Sequence, residues 1–266
     1  RVLGRPFTIT EWDYVNPNCY NVEGACLTGA YAALQDWSGL CRFNYAQDVR
    51  QINRPEWPLT WFFPSVNDPL RMLSERAGFL FFVRRDVRRS EIVYPFLIPA
   101  ESMKDPSRPD DFPALPNRLG LIGRTGTMTV PVGKTPVFPD GTRALLGMEK
   151  AMDVPLPYIP CGVPQEDLKR MADAKLIPAG CYDPSADVYT SSTGELRLER
   201  QANRFRVSTP YSEGFVLKEN QSLSGTFASV ANRLCFGAFL VASIDSRPLA
   251  ESGRILILHL TDSKNS

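Results

Sequence analysis

Histidine is almost absent from this chain of 266 residues, in which His259 is the only one. It lies in the apolar stretch RILILHLTD, where a histidine within a β-strand is the simplest interpretation. A serine or cysteine nucleophile that needs a histidine as its base would have to use this single residue. The composition therefore argues against hydrolytic sites of the serine–histidine and cysteine–histidine kinds.

The six cysteines form no pair with the C-x-x-C spacing that is typical of metal-binding motifs. One histidine cannot complete a mixed set of cysteine and histidine ligands, so we expect no metal site and no cofactor. The cysteine spacings are also too irregular to indicate a disulfide framework. Buried free thiols are the expected state.

The chain also lacks a charge excess and a long apolar run. Its 30 basic and 29 acidic residues give a net charge of +1, which provides no electrostatic reason to expect nucleic acid or a membrane surface as a partner. No apolar stretch reaches the roughly 20 residues that cross a bilayer. Residues 132–135, VGKT, resemble the end of a phosphate-binding loop, but Met128 stands where that motif needs its first glycine. These features indicate neither an oligomeric state nor a compartment.

What the sequence does contain is a strand that ends at a carboxylate and opens into an aromatic loop. The stretch is PFTITEWDYVNPN, residues 6–18, in which β-favouring residues precede Glu11. Trp12, Tyr14 and Asn16 follow in a segment that proline interrupts. In α/β barrels the catalytic groups lie at the C-terminal ends of strands, and Glu11 has that placement. The alternative interpretation is a solvent-facing loop glutamate.

The residues after this strand alternate between helical and strand patterns. Apolar residues recur at helical spacing in residues 21–37, a second strand is predicted near residues 40–45, and Asp68 with Pro69 makes a favourable helix start. The expected buried face of this second helix consists of Leu70, Leu73, Ala77 and Leu80. Such alternation is typical of parallel sheets. Two units cannot cover both faces of a parallel sheet, so residues 1–89 are predicted to be the C-terminal portion of a (β/α)8 catalytic barrel.

The composition changes after this segment. Residues 90–190 are rich in proline and contain strand-like stretches such as EIVYPFLIP, which indicates a connecting region with short strands. Residues 191–266 show one short strand after another, a density typical of a β-sandwich domain, here expected to be incomplete. The predicted fold class is α/β plus β: the last two β/α units of a (β/α)8 barrel, followed by a mainly antiparallel β-sandwich region.

Two stretches resemble a known family. PFTITEWDYVNPN and EGACLTGAYAALQDWSGLCRFNYA, within residues 6–46, resemble strands seven and eight of the TIM-barrel glycoside hydrolases of clan A, most closely the bacterial β-galactosidase-like members. SIDSRPLAESGRILILHLTD, residues 243–262, resembles the β-sandwich that follows the barrel in such enzymes. The resemblance implies a retaining glycosidase that acts on β-galactosides or related β-glycosides, with Glu11 as its nucleophile.

The resemblance is incomplete at the second catalytic group. A retaining mechanism needs two carboxyl groups about 5–5.5 Å apart, one as nucleophile and one as acid/base. In the family the acid/base follows an asparagine, and no Asn-Glu dipeptide occurs in this sequence. The sequence also begins with Arg1 rather than methionine. We therefore expect an interior piece of a longer enzyme, with the acid/base upstream and no turnover by this chain alone.

Residues near Glu11 are candidates for contact with a carbohydrate substrate. Aromatic rings offer flat apolar faces to sugar C–H groups, while asparagine and tyrosine side chains can hydrogen-bond hydroxyls. The candidates are Trp12, Tyr14, Asn16, Tyr45, Trp57 and Trp61. For the tryptophans and Tyr14 the alternative role is packing within the protein.

A second hypothesis comes from a different functional class. The chain could be a non-catalytic carbohydrate-binding or structural module that keeps the sandwich and a degenerate barrel. An Asn-Glu pair at a strand end in the upstream sequence would favour the enzyme, and its absence would favour the module.

Overall fold

The computed structural model describes six stretches of the chain: residues 1–16, 18–53, 62–104, 112–134, 136–148 and 152–261. These stretches contain five α-helices, which are α1 (Gly24–Leu34), α2 (Val49–Asn53), α3 (Pro69–Gly78), α4 (Leu115–Leu119) and α5 (Pro164–Asp173). They also contain three short helical segments of other types, which are Asn21–Glu23, Phe79–Val83 and Ser102–Lys104.

The same stretches contain fifteen strands. In chain order they are β1 (Thr8–Trp12), β2 (Gly39–Arg42), β3 (Val93–Pro99), β4 (Arg124–Val130), β5 (Leu145–Gly147), β6 (Tyr158–Pro160), β7 (Tyr182–Asp183), β8 (Val188–Thr190), β9 (Leu196–Glu199), β10 (Arg204–Ser208), β11 (Ser212–Leu217), β12 (Gln221–Ser224), β13 (Ser229–Asn232), β14 (Gly237–Ser243) and β15 (Ile255–Thr261).

The chain divides into two compact units, each assembled from separate segments. The first unit comprises Arg1–Phe7, Leu34–Asp36 and Arg89–Gly194. The second unit comprises Thr8–Ala33, Trp37–Arg88 and Glu195–Ser266.

The first unit is built around a parallel sheet with the strand order β4-β3-β5-β6. The first five residues of β3 are all buried, a continuous pattern typical of a parallel strand that is covered on both faces. Leu97, Val130 and Leu145 form a buried cluster between these strands. β7 and β8 form an antiparallel pair in the same unit.

The second unit contains the parallel pair β1–β2, the antiparallel strands β15-β14-β11-β10-β9 in that order, and the hairpin β12–β13. Antiparallel pairing is what the sequence pattern predicts for this part of the chain. Burial alternates along β10, where Phe205 and Val207 are the buried residues. His259 lies in β15 opposite Phe239, and their rings stack with centroids 4.3 Å apart.

Glycine permits two close approaches in the core of the second unit. A Cβ atom at Gly29 in α1 would lie 2.7 Å from the Cα of Gly78 in α3, closer than folded proteins allow. A Cβ atom at Gly214 in β11 would lie 2.9 Å from the ring of Phe81 and 3.0 Å from the Sγ of Cys26. A side chain at Gly29 or at Gly214 would push the packed elements apart.

A buried carboxylate fixes one loop of the second unit. Glu213 in β11 is fully buried and accepts hydrogen bonds from the backbone N–H groups of Thr226, Phe227 and Ala228 at 2.5, 3.2 and 2.8 Å. The Ser208 hydroxyl donates to the same carboxylate at 2.5 Å. Four donors offset the cost of burying this charge, because hydrogen bonds to an ionised group are stronger than those between neutral groups.

The predicted barrel is wrong. β1 and β2 do pair in parallel, with Thr8 opposite Gly39 and Ile9 opposite Leu40, but within the described residues they form a sheet of two strands. The other parallel strands lie in the four-stranded sheet of the first unit. Alternation of strand and helix indicates how neighbouring strands pair, but it does not determine how many strands the sheet has. Seven of the nine strands described in the second unit are antiparallel instead.

Candidate functional site

Glu11 is the penultimate residue of β1, at a point where the pairing of β1 with β2 is irregular. Ile9 is opposite Leu40 and Trp12 is opposite Arg42, so β1 has one more residue than β2 between these pairs. Such a bulge bends the strand and re-aims the side chains within it. The Glu11 side chain is exposed. It can therefore meet a molecule from solvent.

A largely buried set of charges holds the residue after β1 against the end of β2. The Asp13 carboxylate, whose side chain is 2% exposed, forms an ion pair with the Nη2 of Arg42 at 2.7 Å. Its second oxygen accepts a hydrogen bond from Arg71, whose side chain is fully buried. Arg42 also pairs with Glu75. Two arginines thus balance two carboxylates, and we call these four residues the Asp13 network.

α3 places Arg71 where it can bind a loop. Asp68 caps the helix by accepting a hydrogen bond from the backbone N–H of Arg71 at 3.1 Å. The guanidinium of Arg71 then donates to the backbone carbonyls of Phe63 and Pro64 at 2.8 and 3.2 Å. Because one cation binds both this loop and Asp13, the loop is fixed against the end of β1.

Backbone hydrogen bonds join the same loop to the chain that follows each of the two strands. The N–H of Asn16 donates to the carbonyl of Phe62 at 3.0 Å, on the side of β1. The N–H groups of Ser65 and Val66 donate to the carbonyl of Tyr45 at 3.2 and 3.0 Å, on the side of β2. Three loops therefore meet at the carboxyl ends of β1 and β2.

The structure exposes some of the predicted sugar-contact residues and packs others. Tyr45 is 55% exposed, and the half-buried Trp12 ring has the guanidinium carbon of Arg42 5.0 Å from its centroid. Tyr14 packs so closely on Gly24 that a Cβ there would lie 2.7 Å from its ring, and burial raises the pKa of Tyr14 to about 12. Asn16 is 2% exposed and accepts a hydrogen bond from Asn21 at 3.0 Å.

Exposure therefore divides the predicted residues. Glu11, Trp12 and Tyr45 lie at the carboxyl ends of the two parallel strands, where they follow or end β1 and β2. Tyr14 and Asn16 belong to the packed interior beside them. Trp57 and Trp61 lie outside the described residues.

Sequence reasoning missed the Asp13 network. Arg42 and Arg71 occur in a strand and in a helix, where an arginine side chain is normally exposed. The one usable signal was Asp68 followed by Pro69, which indicates a helix start and therefore places Arg71 in the first turn. Nothing local indicates that this arginine reaches a carboxylate 58 positions earlier in the chain.

Three further findings bear on function. No group of three or more histidine, cysteine, aspartate or glutamate side chains in the described stretches is arranged to hold a metal ion. None of the helices in those stretches has the length and apolar character needed to span a bilayer. Comparison with known proteins gives no match to any family model, curated protein or solved structure.

Proposed function

We propose that this chain carries the nucleophile of a retaining glycosidase for β-galactosides or related β-glycosides, and that Glu11 is that nucleophile. The observation that supports the proposal best is the position of Glu11. It is an exposed carboxylate at a bulge, two residues before the buried Asp13. The proposal does not depend on a barrel.

A nucleophilic carboxylate must be held in a fixed position. The attacking oxygen must be held near the anomeric carbon in the right direction, and small displacements of such a group reduce rates strongly. The Asp13 network ties the chain directly after Glu11 to β2 and to α3. Trp12 and Tyr45 add aromatic faces at the same edge, of the kind that pack on sugar rings.

Within the described residues, the Asp13 network offers no second carboxyl group for catalysis. Asp13 and Glu75, the other acidic residues of the Asp13 network, are both bound by arginine, so neither is available to protonate a leaving group. In this proposal the acid/base belongs to a part of the parent protein outside this sequence. The chain alone is then expected to leave unactivated glycosides intact.

This division of roles makes the nucleophile testable by itself. In an activated dinitrophenyl fluoro-β-galactoside, fluorine replaces the hydroxyl beside the anomeric carbon. A Glu11 oxygen attacks the anomeric carbon and forms an ester, while the bond to the aryl oxygen breaks and dinitrophenolate leaves with the electron pair. No proton is needed for this leaving group, so the missing acid/base does not prevent the step.

The experiment measures dinitrophenolate released on mixing, by absorbance, against the concentration of chain. We expect a burst close to one equivalent from the wild type and none from Glu11→Gln. Glu251→Gln, which alters another exposed glutamate of the second unit, should keep the burst. A burst that survives Glu11→Gln, or no burst from the wild type, contradicts the proposal.

The second candidate is a carbohydrate-binding module without catalysis. It is favoured by the same finding that leaves the catalytic pair incomplete, namely that arginines hold both neighbouring carboxylates. Its signature is binding of methyl β-galactoside, measured by calorimetry, that is unchanged in Glu11→Gln, together with no burst from the wild type.

A further inference from the structure

A cavity of about 340 Å³ lies in the second unit, where the segment before α1 faces β9, β10 and β11. Its volume is within the range of small-molecule sites in proteins. Its lining residues include neither Glu11 nor any member of the Asp13 network. An inference about this cavity therefore stands apart from the proposed glycosidase activity.

One wall of the cavity is aromatic and aliphatic. Tyr20 and Phe236 meet edge to face with ring centroids 4.8 Å apart, and Leu27 lines the cavity beside them. Tyr20 is 44% exposed, so part of its ring is in contact with water. A ligand ring in contact with Tyr20 or Phe236 would adopt the offset or edge-on arrangements that aromatic rings favour.

The lining of the cavity also carries positive charge. Lys218 lines the cavity, and its Nζ donates at 2.9 Å to the side-chain oxygen of Asn203, whose amide nitrogen donates to the carbonyl of Arg200 at 3.1 Å. Arg204 also lines the cavity, and its Nε donates to the Glu199 carboxylate at 3.0 Å. In the described part of the chain Lys218 has no carboxylate partner. The lining therefore has an excess of positive charge.

Glu23 is the remaining charged residue of the lining, and it does not cancel this excess. Burial raises the pKa of Glu23 to about 7, so near neutral pH much of it is protonated and uncharged. The acidic groups that face it are Tyr14 and Cys26, whose pKa values burial also raises, so both stay neutral over this range. A protonated Glu23 can donate a hydrogen bond to an anion.

We propose that this cavity binds a small aromatic monocarboxylate, with its ring against Tyr20 and Phe236 and its carboxylate at Lys218. The apolar wall supplies burial for the ring, and the uncompensated ammonium supplies a charge-assisted hydrogen bond for the carboxylate. A neutral ring compound gains only the first of these terms.

The test uses benzoate as the probe and benzyl alcohol as its neutral counterpart, titrated into the whole chain by isothermal calorimetry. We expect saturable binding of benzoate and at least about tenfold weaker binding of benzyl alcohol. Lys218→Met should weaken benzoate binding by about tenfold or more, and Lys134→Met, at an exposed lysine of the first unit, should leave it unchanged.

Two further variants distinguish a loss of binding in Lys218→Met from a folding defect in that variant. Tyr20→Ala alters an exposed ring and should also weaken benzoate binding, with an unchanged circular dichroism spectrum. Benzoate affinity should fall as the pH rises from about 6 to about 8, because Glu23 becomes charged. Burial opposes ionisation of Glu199, but hydrogen bonds from Arg204 and Arg197 lower its pKa overall, so the charge of Glu199 stays the same over this range. Glu23→Gln should remove that pH dependence and retain binding.

Several results would overturn the proposal. Benzoate that does not saturate, benzyl alcohol that binds as well as benzoate, or a Lys218→Met variant that is folded and binds normally would each do so. Binding of methyl β-galactoside in place of benzoate would assign the cavity to neutral sugars instead.

Discussion

Replacing Arg71 with methionine is the sharpest perturbation of the Asp13 network. The methionine side chain is apolar and fits a buried position, but it has no donor for Asp13 or for the loop carbonyls. The Asp13 carboxylate would keep Arg42 at one oxygen and lose its partner at the other. The loop at residues 62–65 would lose the cation that binds its carbonyls.

The magnitude follows from the burial of both partners. Removal of one member of a buried ion pair costs about 3–5 kcal/mol, because the charge left behind remains buried. Arg42 still compensates part of the Asp13 charge, so we expect a loss of about 3 kcal/mol in the free energy of unfolding. In the double variant Asp13→Asn with Arg71→Met, the loss should be smaller than the sum of the two single losses by about 1 kcal/mol or more.

The assay is urea denaturation followed by tryptophan fluorescence. The control is Arg50→Met, because the Arg50 side chain is 67% exposed and its pair with Asp48 lies at the surface. That control should leave the free energy of unfolding nearly unchanged, because a solvent-exposed ion pair contributes little to stability. A loss below about 1 kcal/mol for Arg71→Met, or strict additivity in the double variant, would refute the reasoning.

Three further perturbations test other parts of the structure. Burial raises the pKa of Glu23 to about 7, compared with about 4.3 in an unfolded chain, so the folded state binds this proton more tightly. The free energy of unfolding should therefore fall as the pH rises from about 5 to about 8 in the wild type and fall less in Glu23→Gln, measured by urea denaturation at each pH. Glu213→Gln should lower the free energy of unfolding by about 2–3 kcal/mol and speed hydrogen exchange of the amides that the carboxylate binds; unchanged exchange would contradict this. Gly29→Ala, which collides with Gly78, should cost about 1–3 kcal/mol by thermal denaturation, whereas Gly162→Ala, with its nearest atom 3.9 Å away, should cost less.

Local sequence signals predicted local structure well in the second unit. Asp68 and Pro69 indicated the start of a helix, and α3 begins at Pro69 with Asp68 as its cap. The strand patterns at residues 6–10 and 40–45 indicated two parallel neighbours, and β1 and β2 do pair in parallel. The helix start depends on two adjacent residues, and the strand pair depends on a single connection through α1, so the sequence shows the physical cause of each.

The buried face of α3 shows where such signals fail. The apolar spacing predicted Leu73 inside, but Leu73 is 42% exposed, while Arg71 and Ser74 are buried. Hydrophobic periodicity assumes that charged residues face water. Arg71 overrides that assumption because Asp13 and the loop carbonyls satisfy its charge and its donors, and those partners come from distant parts of the chain. The same dependence on distant partners made the number of parallel strands unpredictable.

The role of Glu11 is tested most directly by locating the sugar after the activated fluoro-galactoside has reacted with the chain. Digestion and tandem mass spectrometry identify the peptide, and the residue, that carries the ester. We expect the sugar on Glu11 in the wild type and in Glu251→Gln, and no modified peptide in Glu11→Gln. A sugar found on another carboxylate, or one that persists in Glu11→Gln, would contradict the assignment of Glu11 as nucleophile.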